Sequence, residues 1–199
     1  MILTTITGPA ELAVSVDEAK GHSYISGTDD DLMIERMLKT AISLVETLAG
    51  AALVTQTLER RLEAWPTGEE HEPGDGQNWI YCPRYPLVSV SSVKYTESSG
   101  TETTWSSSNY TVDVYSQPGR IWLGYGAGWP TATLRPGPSI AVRYVAGFGA
   151  AADVPDALKS AVLLYFGDLY EHREQTVLQP GVTKATVDAA LSLVRNWRR

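Results

Sequence analysis

Residues 142–174 constrain the fold more than any other part of the chain. A strand-like run, Val142-Arg143-Tyr144-Val145-Ala146, ends in Gly147-Phe148-Gly149, and Asp153-Val154-Pro155 then opens a helix. Proline suits the first position of a helix, where its missing N–H costs nothing. The helix is apolar on nearly every side. Leu158, Ala161, Val162, Tyr165 and Leu169 share one face, and Leu163, Phe166 and Tyr170 form a second. So much apolar surface predicts burial twice, once in the chain's own core and once against a partner. In an acidic chain with a single cysteine, that partner reads as another protein subunit.

The remaining elements fall on either side of a change in periodicity. Val16-Asp17-Glu18-Ala19-Lys20 predicts a short first helix, and Thr28-Asp29-Asp30-Asp31 a cap with an acidic first turn. Ile34, Met37, Leu38, Ala41, Val45 and Leu48 then recur at helical spacing until Gly50 closes the helix. From residue 54 the period becomes two. Leu58, Leu62 and Ala64 alternate with Glu59, Arg61 and Glu63, and 110–114 and 140–145 alternate likewise. Val88 and Val90 are out of phase with Val93 and Tyr95, which predicts a bulge near Ser91-Ser92. Residues 67–78 and 124–138 are turn-rich and read as exposed loops, the usual sites of partner contacts. After Gln179-Pro180-Gly181, a last helix carries Val187, Ala190, Leu191, Val194 and Trp197 on one side.

The expected fold is therefore mainly α with a β-rich insertion (α+β), built on a helical core of about four helices. A single domain of 199 residues is expected, with N-terminal helices at 16–53, the β-rich insertion at 54–145 and C-terminal helices at 153–199.

Several function classes are disfavoured by what the residues can do. Net charge is −7, whereas grooves that grip nucleic acid need clustered Lys and Arg. One cysteine, Cys82, excludes an internal disulfide and a cysteine-rich zinc site. His22, His71 and His172 lie on separate elements and read as surface histidines. Asp29-Asp30-Asp31 lacks the glycine and glutamate spacing of a calcium loop. Gly124-Tyr125-Gly126-Ala127-Gly128 is followed by Trp129-Pro130 where a phosphate-binding loop needs a helix, so the glycines read as a tight loop. No catalytic residue, metal or cofactor is expected. No membrane partner is expected either, because no apolar run nears the roughly 18 residues of a span, and the first ten residues do not read as a signal peptide.

Five of the six tryptophans, Trp65, Trp79, Trp105, Trp122 and Trp129, fall in the β-rich part. They read as strand and loop anchors, partly at subunit contacts. A carbohydrate- or ligand-binding β module, using Trp79, Trp105 or Trp129, is the alternative.

Four stretches carry a family resemblance. The first is Val16-Asp17-Glu18-Ala19-Lys20 with Asp29-Asp30-Asp31 and Ala49-Gly50-Ala51-Ala52-Leu53-Val54-Thr55-Gln56-Thr57. The second is Pro83-Arg84-Tyr85-Pro86-Leu87-Val88-Ser89-Val90-Ser91-Ser92-Val93. The third joins Tyr110-Thr111-Val112-Asp113 to Pro118-Gly119-Arg120-Ile121-Trp122-Leu123 and Trp129-Pro130, and the fourth is the 142–174 block. In this order the chain resembles the head–tail connector, or adaptor, proteins of long-tailed bacteriophages and gene transfer agents.

The resemblance implies a non-enzymatic subunit of a virion or virus-like particle, assembled in the bacterial cytoplasm. It implies a homo-oligomeric ring of about twelve copies between the portal protein and the next head-completion or tail protein. DNA would pass through the lumen without specific binding, which the acidic balance suits. Leu163, Phe166 and Tyr170 then become the expected subunit interface, and Trp79 and Trp129 the expected loop contacts. Trp197, Arg198 and Arg199 become candidates for a portal anchor, an aromatic with flanking arginines being typical of hot spots. They read equally as a solvated helix end favoured by the helix dipole.

Overall fold

The computed structural model describes residues 2–66, 78–172, 189, 192 and 193. The chain divides into two compact units, one of Met1–Pro9 with Thr55–Gly147 and one of Ala10–Val54 with Phe148–Arg199.

The first unit is all β. Its strands are β1 (Ile2–Thr7), β2 (Gln56–Leu62), β3 (Trp79–Cys82), β4 (Leu87–Thr96), β5 (Glu102–Trp105), β6 (Tyr110–Asp113), β7 (Gly119–Leu123) and β8 (Ile140–Ala146). They form a five-stranded sheet in the order β1-β2-β8-β4-β5 and a three-stranded sheet in the order β3-β7-β6. All pairings are antiparallel. β8 is central, and Ile140, Val142, Tyr144 and Ala146 are buried along it. The out-of-phase valines of β4 do mark irregular pairing, since its register against β8 shifts between Val90 and Ser92.

β2 departs from simple alternation. Leu58, Arg60 and Leu62 oppose Tyr144, Val142 and Ile140 across the ladder, so an arginine occupies a core-facing position. Its guanidinium lies 4.0 Å from the Tyr81 ring centroid and donates to the Tyr81 carbonyl at 2.8 Å. Arg60 thereby ties the large sheet to β3 of the small one.

On the other face of β2, Glu59 is buried directly opposite Arg143. It accepts from Arg143 at 2.7 Å and pairs with Arg61 at 2.7 Å. Burial alone would raise the Glu59 carboxyl, but the Arg143 hydrogen bond and the Arg61 charge outweigh it and hold the group below its ordinary range. A depressed folded value means that the stabilisation is complete above the ordinary glutamate range and disappears as pH falls through the depressed value. Glu59→Gln should therefore cost about 1–2 kcal/mol at pH 7. Its unfolding midpoint should also fall less steeply than the parent's between about pH 5 and pH 3, as urea titrations at each pH would register.

The two sheets also touch at Gly119, the first residue of β7. A Cβ there would stand 2.5 Å from Leu87 Cβ and 2.6 Å from Leu87 Cδ2. Gly119→Ala should lower stability by about 1–3 kcal/mol through overpacking. Gly128→Ala, whose added Cβ meets nothing within 4 Å, is the matched control and should stay within about 0.5 kcal/mol.

The second unit is helical, with α1 (Val16–His22), α2 (Asp31–Ala49) and α3 (Asp156–Glu171). Ser15 and Glu18 close a reciprocal capping box on α1. Gly50 ends α2 in the left-handed conformation, at φ 69°. The acidic triplet works differently from a simple side-chain cap. Asp30 at the N-cap makes no capping bond, and Asp31 instead pairs with Lys20 at 2.7 Å. Ile34, Leu38, Ala41, Val45 and Ala49 of α2 are buried, as are Leu158, Ala161, Val162, Tyr165 and Phe166 of α3.

The mainly α fold with a helical core of about four helices is thus overturned. Among the described residues there are three α-helices and eight strands, and strand residues outnumber α-helical ones. The β part has a core of its own, including Leu58, Ile80, Val93, Ile121 and Val142. Ile2–Thr7, where no strand was expected, pairs along β2. The four-residue strands β3 and β5 are too short to register a period, which is why the expected β content is too low. The helix expected after Pro180 lies mostly outside the described residues.

Candidate functional site

Among the described residues no group of three or more His, Cys, Asp and Glu could hold a metal ion. Cys82 is buried in β3. His172 caps the end of α3, 3.4 Å from Asp168, while His22 ends α1 and His71 lies outside the described residues. Among the described residues no helix is long and apolar enough to cross a membrane.

The candidate contact residues lie in distinct settings. On α3, Phe166 is fully buried, whereas Leu163 and Tyr170 are half-exposed beside it. The Tyr170 ring sits 5.9 Å from that of Phe166. Leu163 lines a depression with Val14, Glu18, His22, Asp156 and Lys159, so an apolar spot is ringed there by both signs of charge. Among the three, then, Leu163 and Tyr170 reach the surface and Phe166 supports them. Trp197, Arg198 and Arg199 lie outside the described residues.

The tryptophans are largely engaged with one another. Trp129 stacks on Trp65 at 5.2 Å and 14°, and both approach Trp105, at 5.2 and 5.5 Å. Trp129 thus pins the 124–138 loop to the large sheet, as a backbone bond from Arg135 N–H to the Thr96 carbonyl also does. Trp79 packs on Trp122 at 4.7 Å, with the Arg120 guanidinium 5.3 Å from its ring. Both Trp79 and Trp129 remain half-exposed, so each anchors its segment and still offers an edge to a partner.

The strongest surface features were not singled out from the sequence. Tyr115 and Tyr125 in the β unit, and Tyr24 and Leu32 in the helical unit, are almost wholly exposed. Tyr115 is held out by a tight turn in which Asp113 accepts from the Tyr115 and Ser116 N–H groups at 2.9 and 3.1 Å. The Ser116 hydroxyl bond, followed by these backbone bonds, keeps the Asp113 carboxyl below its usual range despite some desolvation. Tyr125 stands at a turn made possible by Gly126 at φ 74°. Tyr24 itself has φ 52°, uncommon for a tyrosine, in a loop braced by Lys20, which donates to the Gly27 carbonyl and to Asp31. Ordered backbone turns that present tyrosine to solvent are the make-up of protein–protein contacts. A turn residue followed by an aromatic is the sequence signal that marks such positions, and it is too common to select them unaided.

No protein-family model matches the chain. A 48-residue stretch is 42% identical to head completion protein gp6 of Enterobacteria phage HK97; this covers 24% of the chain, which spans 44% of the length of that relative. Solved structures match throughout. A chain from the neck of an empty gene transfer agent particle, computed with C6 symmetry, superposes with a TM-score of 0.78 at 22% identity, covering 100% of this chain and 95% of that one. A chain from the neck of the native particle, computed with C12 symmetry, gives a TM-score of 0.76 at 24% identity over the same shares. One from the virion of the native gene transfer agent gives 0.74 at 23%, again over 100% and 95%. The fold is that of a chain in these particles, and the resemblance to head–tail connectors drawn from the sequence is borne out.

Proposed function

We propose that this chain is a head–tail connector, a structural and non-catalytic subunit at the head–tail junction of a tailed phage or gene transfer agent particle. The likeness to neck chains over the whole length of the chain carries this reading. In it, residues 1–199 work as one connector domain. Subunits close head to tail into a ring of about twelve copies under the portal, and the next head-completion or tail protein docks on the far side. Leu163 and Tyr170, backed by Phe166, supply ring contacts. Trp79 and Trp129 hold the loops that meet the layers above and below. Trp197, Arg198 and Arg199 anchor the portal. The net charge of −7 suits a lumen through which DNA slides without sticking, since like charge keeps it mobile.

The test is co-sedimentation of the purified protein with portal-bearing, tail-less capsids, followed by cryo-electron microscopy. Ring density at one vertex is expected. A protein that stays monomeric and ignores the portal would turn the reading to a ligand-binding β module. Truncation after Ser192 should leave a folded protein that no longer joins filled heads. If truncated protein still supports tailed particles, residues 197–199 are not the anchor.

A further inference from the structure

Leu32, in the first turn of α2, is 80% exposed. At helical spacing it points about 140° away from the centre of the buried face formed by Ile34, Leu38, Ala41, Val45 and Ala49. On α3, Leu163 lies about 130° from the centre of the face formed by Leu158, Ala161, Val162, Tyr165 and Phe166. α2 and α3 pack on one another within the helical unit. The two leucines therefore project from opposite sides of the helix pair, which is what a head-to-tail contact needs.

Leu163 lines the depression of about 510 Å³ between α1 and α3, and Gly21 lies at its edge. Gly21 stands inside α1, where glycine is a poor helix former. Its φ is not positive, and a Cβ there would meet nothing within 4 Å. Among the described residues, neither backbone conformation nor packing calls for glycine at this point. A side chain arriving from outside does, because the missing Cβ keeps the depression open.

We infer that Leu32 of one copy seats in the Leu163 depression of the next, so that α2 of each subunit meets α1 and α3 of its neighbour. The inference rests on the ring reading above and adds to it the surface that Leu163 meets. Charge favours the same pairing. Asp29 and Asp30, both exposed, precede Leu32, while Asp31 is held by Lys20 at 2.7 Å. In the depression, Glu18 is taken up by Ser15, whose N–H and hydroxyl donate to it at 2.7 and 2.8 Å. Asp156 sits in the first turn of α3, where the helix dipole favours it. Lys159, one turn before Leu163, then offers positive charge to the Asp29-Asp30 pair of the incoming copy.

The test mixes full-length variants with portal-bearing, tail-less capsids and scores ring-bearing vertices by cryo-electron microscopy. Leu32→Glu and Gly21→Gln should each lower ring occupancy about tenfold, the first by forcing a charge into an apolar seat and the second by filling it. Gly21→Gln should also keep or raise the thermal midpoint, since glutamine favours a helix over glycine, which separates ring loss from misfolding. Asp29→Lys and Lys159→Glu should each lower occupancy, and the two combined in one chain should restore most of it. Parental occupancy in Leu32→Glu or Gly21→Gln, or a double variant no better than the singles, would overturn the inference and leave the connector reading standing, because the parent still forms rings. Bare vertices with the parental protein would instead sink the connector reading, and this inference with it.

Discussion

Arg60→Ala is expected to destabilise the protein by about 3–5 kcal/mol, the range of a large buried side chain lost together with its polar contacts. Arg60 is fully buried on the core face of β2, between Leu58 and Leu62. Truncation removes its stacking on Tyr81 and its bond to the Tyr81 carbonyl, and it opens a cavity between the sheets. Arg60→Met separates the two losses. It refills most of the volume without a charge to desolvate, and buried ions replaced by apolar groups of like size often cost little. Urea unfolding at pH 7 should therefore place Arg60→Met closer to the parent than to Arg60→Ala. A loss below about 1 kcal/mol for Arg60→Ala would mean that the sheets are held without it.

Leu163→Glu is expected to abolish ring formation while leaving a folded subunit. Leu163 is half-exposed, so a charge there can remain hydrated in the free chain. In the proposed ring that charge is desolvated at every contact, at about 2 kcal/mol or more each. A closed ring repeats the same heterologous contact around its circumference, so a modest local cost accumulates over about twelve joints. Cryo-electron microscopy of mutant protein mixed with tail-less capsids should show bare vertices, and circular dichroism should match the parent. Rings at parental occupancy would remove Leu163 from the contact.

How much of this was legible before any coordinates depends on the length of the signal. α2 was readable because nineteen residues repeat one period and Gly50 closes them. The β4 irregularity was readable because a bulge shifts phase, and phase is written in the order of the valines. The four-residue strands β3 and β5 carry too little repetition, and β1 is a strand chiefly because β2 offers it an edge. For the contact residues, the α3 periodicity put Phe166 on the second face with Leu163 and Tyr170, whereas the structure buries it with Leu158, Ala161, Val162 and Tyr165. Phe166 is buried and Leu163 is not, a distinction that depends on what packs against each. The exposed tyrosines went unseen because exposure is a property of the folded backbone. Nothing in residue type alone distinguishes Tyr115, fully exposed, from Tyr144, fully buried.

The sequence by itself determined the helices of the second unit, the phase of β2, β4 and β8 and the order of segments that resembles head–tail connectors. These are local or periodic properties, encoded over a few consecutive turns or alternations. Only the tertiary structure decided that the chain is richer in strand than in helix, that Arg60 faces inward and that the tryptophans stack on one another. Each of those outcomes joins residues far apart in the chain, such as Arg60 with Tyr81 or Trp65 with Trp129. Long-range pairings of that kind are selected by the burial they achieve together, which no single stretch of residues records.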